Sequence, residues 1–110
     1  MTDLINKKCV SHEKMVKLSE EEIKNYLSEL KEEWEFLETH KIVKEFKFED
    51  FVKAMEFVNK IAVLAEEEGH HPDIAINYSK VEITLWTHFV NGLSENDFIM
   101  AVKIDNILES

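Results

Sequence analysis

Hydrophobic positions change their period several times along this chain, and each change marks a predicted element. Ile23, Tyr26, Leu27 and Leu30 recur at helical spacing with glutamates and lysines between them. The run Leu18-Ser19-Glu20-Glu21-Glu22-Ile23 just ahead reads as a capping box: Ser19 accepts from the Glu22 backbone, Glu22 reaches back, and Leu18 staples onto Ile23. A helix is predicted to start there and to give way near Trp34. From Trp34 to Phe48 the apolar residues alternate, Trp34 and Phe36 in one run and Ile42, Phe46 and Phe48 in the next, with Thr39, His40 and Lys41 between. Two short paired strands are expected, with His40 in their loop.

Phe51, Ala54, Met55, Val58, Ala62 and Ala65 then form a helical stripe, widened by Phe57, Ile61 and Leu64 enough that a second face is expected to be covered. Gly69 suits the left-handed residue beyond a helix and Pro72 blocks continuation, so His70 and His71 fall on a fixed turn at the helix exit. Ile74, Ile76 and Tyr78, and then Val81, Ile83, Leu85 and Thr87, alternate with more polar neighbours and predict two further strands joined around Ser79 and Lys80. If the second stays regular, His88 projects opposite Val81, Ile83 and Leu85. Leu93-Ser94-Glu95-Asn96-Asp97-Phe98 repeats the first capping pattern and opens a final helix carrying Phe98, Ala101, Val102 and Leu108. The order α-β-β-α-β-β-α implies an α+β fold in which helices cover one face of an antiparallel sheet. Open sheet edges and the wide apolar surface of the second helix imply a homo-oligomer.

Composition narrows the function. The 110 residues suffice for one domain, here residues 18–110, behind a polar segment 1–17 read as a flexible arm. A formal charge of −10 repels phosphate backbones, so no direct nucleic-acid partner is expected. A lone cysteine, Cys9, excludes an intrachain disulfide, and no apolar run has the length of a signal peptide or a membrane span; a cytoplasmic, membrane-free protein is expected. Cys9 and His12 supply too few ligands for a closed zinc site.

The chemistry centres on His70, His71 and His88. Zinc would need their nitrogens to converge at about 2.0–2.1 Å, yet adjacent residues point apart, and the helical HExxH spacing is absent. Proton transfer suits them better, because an imidazole titrating at about pH 6.5 offers both donor and acceptor forms near neutrality. Spacing alone equally allows exposed histidines that merely cap a turn. Rival chemistry is absent: Ser79 and Ser94 lack a nucleophile-elbow setting and there is no glycine-rich phosphate loop.

Glu66, His70-His71-Pro72, Tyr78, Val81, Thr87-His88 and Gly92-Leu93-Ser94 followed by Asp97 resemble the pattern of the pterin-4a-carbinolamine dehydratases. The resemblance extends from the first helix cap through Trp34, Phe46-Lys47-Phe48 and Phe51 to Ile104. It implies a four-stranded antiparallel sheet with three helices on one face, a dimer or tetramer, and dehydration of a 4a-hydroxytetrahydropterin to a quinonoid dihydropterin, a recycling step after aromatic amino-acid hydroxylation. It implies no metal and no cofactor, the pterin being the substrate. Carried over residue by residue, His70 and His88 form the acid/base pair and His71 holds the ring. Asp97 orients a histidine, although capping alone would explain an acid there. Glu66 and Pro72 complete the carried-over binding set, Pro72 by shaping the turn. Trp86 joins it because it shares the predicted strand face of His88 and offers a surface on which a flat ring can stack, an interface contact being the other reading. Two other readings stay open: an interaction protein acting as a dimerisation cofactor, and a pterin-binding module serving other pterin or molybdopterin enzymes.

Overall fold

The computed structural model describes residues 3–31, 33–37 and 40–108; Thr39 and the side chain of His12 lie outside the described part. Helix α1 (Glu20–Ser28) starts at Ser19 with the predicted reciprocal bonds, Glu22 N–H to Ser19 Oγ at 3.2 Å and Ser19 N–H to Glu22 Oε1 at 2.9 Å. Strands β1 (Glu35–Leu37) and β2 (Lys41–Lys47) pair antiparallel across a turn in which His40 takes a positive φ of 71°. Helix α2 (Phe51–Glu68) is capped by the Asp50 carboxylate and ends at Gly69, whose φ of 67° is the left-handed conformation expected there. Strands β3 (Asp73–Asn77) and β4 (Lys80–Leu85) follow, then α3 (Glu95–Ile107).

Among the described residues these are three α-helices and one four-stranded antiparallel sheet in the order β1-β2-β4-β3, the α+β arrangement read from the sequence. Cross-strand partners share a face, so the register places Phe36, Ile42 and Leu85, then Lys44, Ile83 and Ile74, then Phe46, Val81 and Ile76 on the helix-covered side. Glu45, Glu82, Ala75 and their neighbours occupy the open side. The core joins Ile42, Phe46, Val81, Ile83 and Leu85 of the sheet to Ala54, Phe57, Ile61 and Ala65 of α2 and to Phe98, Ala101 and Ile104 of α3. Helix α1 adds Ile23 to the core and stacks Tyr26 on Phe98 with centroids 5.0 Å apart.

Several sequence expectations change. On α2 the core-facing stripe is Ala54, Phe57, Ile61 and Ala65, while Phe51 and Ala62 are exposed, because the sheet meets the flank of the apolar arc rather than its centre. Leu108 follows the end of α3 and is exposed, whereas Ile99, Met100 and Ile104 are buried. Tyr78 is a turn residue with φ 54°, not part of β3, and β4 stops at Leu85 instead of running to His88. The segment read as a flexible arm makes defined contacts: Leu4 is buried, Cys9 N–H donates to Glu68, and Val10 pairs with Asn96. Burial first, and then the adjacent Glu68, push the Cys9 thiol up to about 12, so it remains protonated at neutral pH.

One cation lies on the covered face. Lys44 Nζ stands 2.8 Å from Asp105 Oδ1, 4.9 Å from the Phe46 ring centroid, and the other Asp105 oxygen accepts from Trp34 Nε1 at 2.8 Å. Both charged side chains are almost fully shielded, at 12% and 6% exposure. Asp105→Ala therefore leaves an ammonium and an indole N–H without their acceptor and should cost about 3–5 kcal/mol, read as a lower urea midpoint. Adding Lys44→Met should recover most of that loss. Equal midpoints for wild type and Asp105→Ala would refute the account.

Candidate active site

Three element ends converge beside the covered core. Helix α2 delivers His70 just past Gly69, where the Gly69 and His70 N–H groups both return to the Ala65 carbonyl at 2.9 and 3.3 Å. Pro72 then turns the chain into β3. Beyond β4, Thr87 and Gly92 exchange backbone hydrogen bonds of 2.8 and 3.3 Å and pinch off a loop whose 3-10 turn, His88–Val90, presents His88. Helix α3 begins at Ser94, one turn before its Asp97.

The buried part of this junction is a hydrogen-bond chain. His70 Nε2 lies 2.7 Å from Asp97 Oδ1, with the imidazole 7% exposed and the carboxylate wholly buried. Asp97 Oδ2 accepts from Thr87 Oγ1 at 2.8 Å and from the Ser94 N–H at 3.0 Å. Thr87 has one proton and gives it to the carboxylate, so the 2.7 Å contact between the two hydroxyls has Ser94 Oγ as donor. A carboxylate oxygen only accepts, which assigns the proton at the His70–Asp97 contact to Nε2. Nδ1 is thereby the nitrogen that can take up or release a proton. Among the described residues no buried side-chain nitrogen or oxygen lacks a partner.

The exposed part faces the same space. His70, His71, Pro72, Asp73, Trp86, His88 and Phe89 line an open hollow of about 410 Å³. The His88 ring rests on Trp86 with centroids 3.7 Å apart; the Lys41 ammonium lies over Trp86 at 4.6 Å, and Trp86 Nε1 donates to Asp73 at 3.3 Å. His71 Nε2 sits 2.6 Å from Glu66 Oε2 in full solvent contact. All seven residues singled out from the sequence thus meet here or border the hollow: Asp97 behind His70, Glu66 beside His71, and the others on the lining. Among the described residues no group of three His, Cys, Asp or Glu side chains gathers in a metal-binding arrangement.

Sequence reasoning missed four members of this junction. Thr87 was legible in part, since it continues the inward alternation of Val81, Ile83 and Leu85 as a polar residue. Ser94 stood out as a helix cap and as part of the family pattern, without a partner in Thr87. Nothing in the sequence marks Met15 or Asp73, which join the lining. Strand alternation predicts His88 as a strand residue opposite Val81, Ile83 and Leu85; it is exposed on a 3-10 turn beyond the strand, with its ring on Trp86.

Residues 16–107 match the family model described as pterin 4 alpha carbinolamine dehydratase. A relative from Alkaliphilus metalliredigens is 47% identical over 106 residues, 96% of either chain, and one from Rickettsia bellii is 48% identical over 103 residues, covering 93% of this chain and 91% of its own. Both carry the provisional name pterin-4-alpha-carbinolamine dehydratase. The crystal structure of a transcriptional coactivator/pterin dehydratase from Brucella melitensis is similar with a TM-score of 0.80 and 36% identity, over 84% of this chain and 98% of that one. A pterin dehydratase-like protein identified as a RuBisCO assembly factor in the alpha-carboxysome is similar with a TM-score of 0.61 and 28% identity, over 71% and 92%. The chain belongs to the pterin-4a-carbinolamine dehydratase family. No helix among the described residues is long and apolar enough to cross a membrane.

Proposed function

We propose that this protein dehydrates a 4a-hydroxytetrahydropterin to a quinonoid dihydropterin and water, with His70 and His88 as the proton-transfer pair. One observation carries the reading: two histidines of opposite character, one locked to a buried carboxylate and one on an exposed aromatic shelf, line one hollow. In the reaction the C4a–O bond breaks as the neighbouring ring nitrogen pushes in its electrons and forms a C=N bond. A proton goes to the leaving oxygen, and the nitrogen gives up its own proton to a base. Two imidazoles near neutrality can serve as that acid and that base.

In this reading His71, held by Glu66, positions the ring, and Pro72 fixes the spacing of the two imidazoles on the turn. Asp97 orients His70. Trp86 acts at the edge of the ring. The reaction needs neither redox chemistry nor a strong Lewis acid, so no metal or cofactor is assigned to the site. In this reading the protein works in the cytoplasm, in pterin recycling after aromatic amino-acid hydroxylation. The test is turnover: chelator-treated protein should accelerate dehydration of a synthetic 4a-hydroxytetrahydropterin followed by absorbance. No acceleration above the buffer rate would remove the enzymatic reading and leave a pterin-binding module or an interaction protein.

The second reading, an interaction protein, draws on the surface of α2, where Phe51, Val52 and Val63 are exposed at 48%, 62% and 61%. The RuBisCO assembly factor shows that a neighbour of this fold can act on other proteins. Self-association accounts for the same surface, and we propose a homodimer or homotetramer built on it. Light scattering should give a multiple of 13.0 kDa for the wild type and a lower mass for Val63→Glu, which introduces a charge into the contact. An unchanged mass in the variant would move the interface elsewhere.

A further inference from the structure

Beside the hollow runs the segment that sequence alone leaves as an arm, and it is fastened at both ends to the start of α3. Asn96 holds Val10 at two points: its Oδ1 accepts from Val10 N–H at 3.0 Å and its Nδ2 donates to Val10 O at 2.9 Å. Asn96 is 2% exposed, so this amide pair is shielded from water. At the other end Leu18 N–H donates to Leu93 O at 2.8 Å. Between the fastenings the Lys17 side chain lies over Gly92 at the close of the His88 loop, its Cε 2.9 Å from where a Cβ on that glycine would stand.

Met15 lies between the two fastenings and is half-buried. It lines the histidine hollow and also a neighbouring one of about 280 Å³ that Tyr26, Glu95 and Asn96 help to enclose. Met15 is therefore common to the walls of both spaces. We propose that the segment held between Val10 and Leu18 walls the ligand site at Met15, and that Met15 packs against the bound pterin and sets how tightly the ring is gripped. An unbranched, polarizable side chain suits contact with a flat heteroaromatic ring. The inference rests on the functional reading given above and extends it to a specificity-determining residue and to Asn96 as its positioning residue.

The experiment uses full-length protein carrying 13C-methyl methionine and ring-13C histidine, titrated with 7,8-dihydropterin and followed by NMR, with the Met15 and His70 signals assigned through Met15→Leu and His70→Ala. Binding should move the Met15 methyl resonance while that of the fully buried Met100 stays in place. Dihydropterin that shifts the His70 ring signals but leaves Met15 unmoved overturns the wall proposal alone. No shift anywhere removes both this proposal and the pterin reading, so the two failures are distinct. In turnover, Met15→Ala should raise KM about fivefold or more with kcat within twofold, and Met15→Leu should restore KM. A KM unchanged in Met15→Ala overturns the proposal, as does a loss confined to kcat.

Discussion

His88→Ala should lower kcat for carbinolamine dehydration by about 10²-fold or more, the usual contribution of a positioned general acid or base, with almost no change in folding stability. The stability half follows from exposure: His88 lies on a surface loop, and its packing is against the half-exposed Trp86. His70→Ala should show a similar loss of rate together with a lower melting temperature, since it removes the ring facing a wholly buried carboxylate and leaves Asp97 Oδ1 without its donor. The two variants therefore separate chemistry from structure. Stopped-flow rates and thermal melts on the same preparations provide the check. Wild-type kcat in both variants would sink the assignment of the pair.

Asp97→Asn is expected to be the second most damaging change. The carboxylate accepts at both oxygens, from His70 on one side and from Thr87 and Ser94 on the other. An amide can keep only one oxygen. If that oxygen remains with Thr87 and Ser94, the NH2 group points at His70 Nε2 and the ring must present an unprotonated nitrogen there. The proton then sits on Nδ1, the opposite tautomer to the one Asp97 sets. If the amide flips instead, its NH2 meets the Ser94 N–H and the end of α3 loses its acceptor. A fall in kcat of about 10-fold to 10²-fold is expected, with KM little changed and a shift in the pH profile that a purely structural role would not produce. Asp97→Ala should in addition lose about 2–4 kcal/mol of stability, because the three buried donors His70, Thr87 and Ser94 lose their acceptor. An Asp97→Asn enzyme with the wild-type pH–rate profile would show that the carboxylate only caps the helix.

The reach of sequence reasoning here follows the range of the interactions involved. Local devices were legible: the Ser19–Glu22 box, the glycine that ends α2, the acid after Ser94 and the strand alternations each act within a few residues. His70 and His71 could be placed on the turn after α2 for the same reason, whereas alternation put His88 at a strand end and it lies on a 3-10 turn. What remained hidden depends on which surfaces meet. The arc of α2 is apolar over two adjoining stripes, and only the position of the sheet decides that Phe57 and Ile61 face inward while Phe51 faces out. Lys44 alternates correctly as an inward strand position, yet no local rule supplies the Asp105 that makes its burial tolerable. Cys9, Val10 and Met15 sit in a polar stretch, and their placement depends on Asn96 and Glu68, far away in the chain. The family pattern brought Asp97 into view, but the choice between helix cap and histidine partner needed coordinates. They show one carboxylate engaged in both, with Oδ1 to the ring and Oδ2 to the helix start.

That shared carboxylate makes the integrity of the site readable from a backbone clock. The Ser94 amide proton is held by one oxygen of the carboxylate whose other oxygen meets His70, so it exchanges with deuterium only when its own bond opens. Slow exchange at Ser94 would report a seated Asp97, and a variant or solvent that displaces the whole carboxylate would free the amide and the imidazole together.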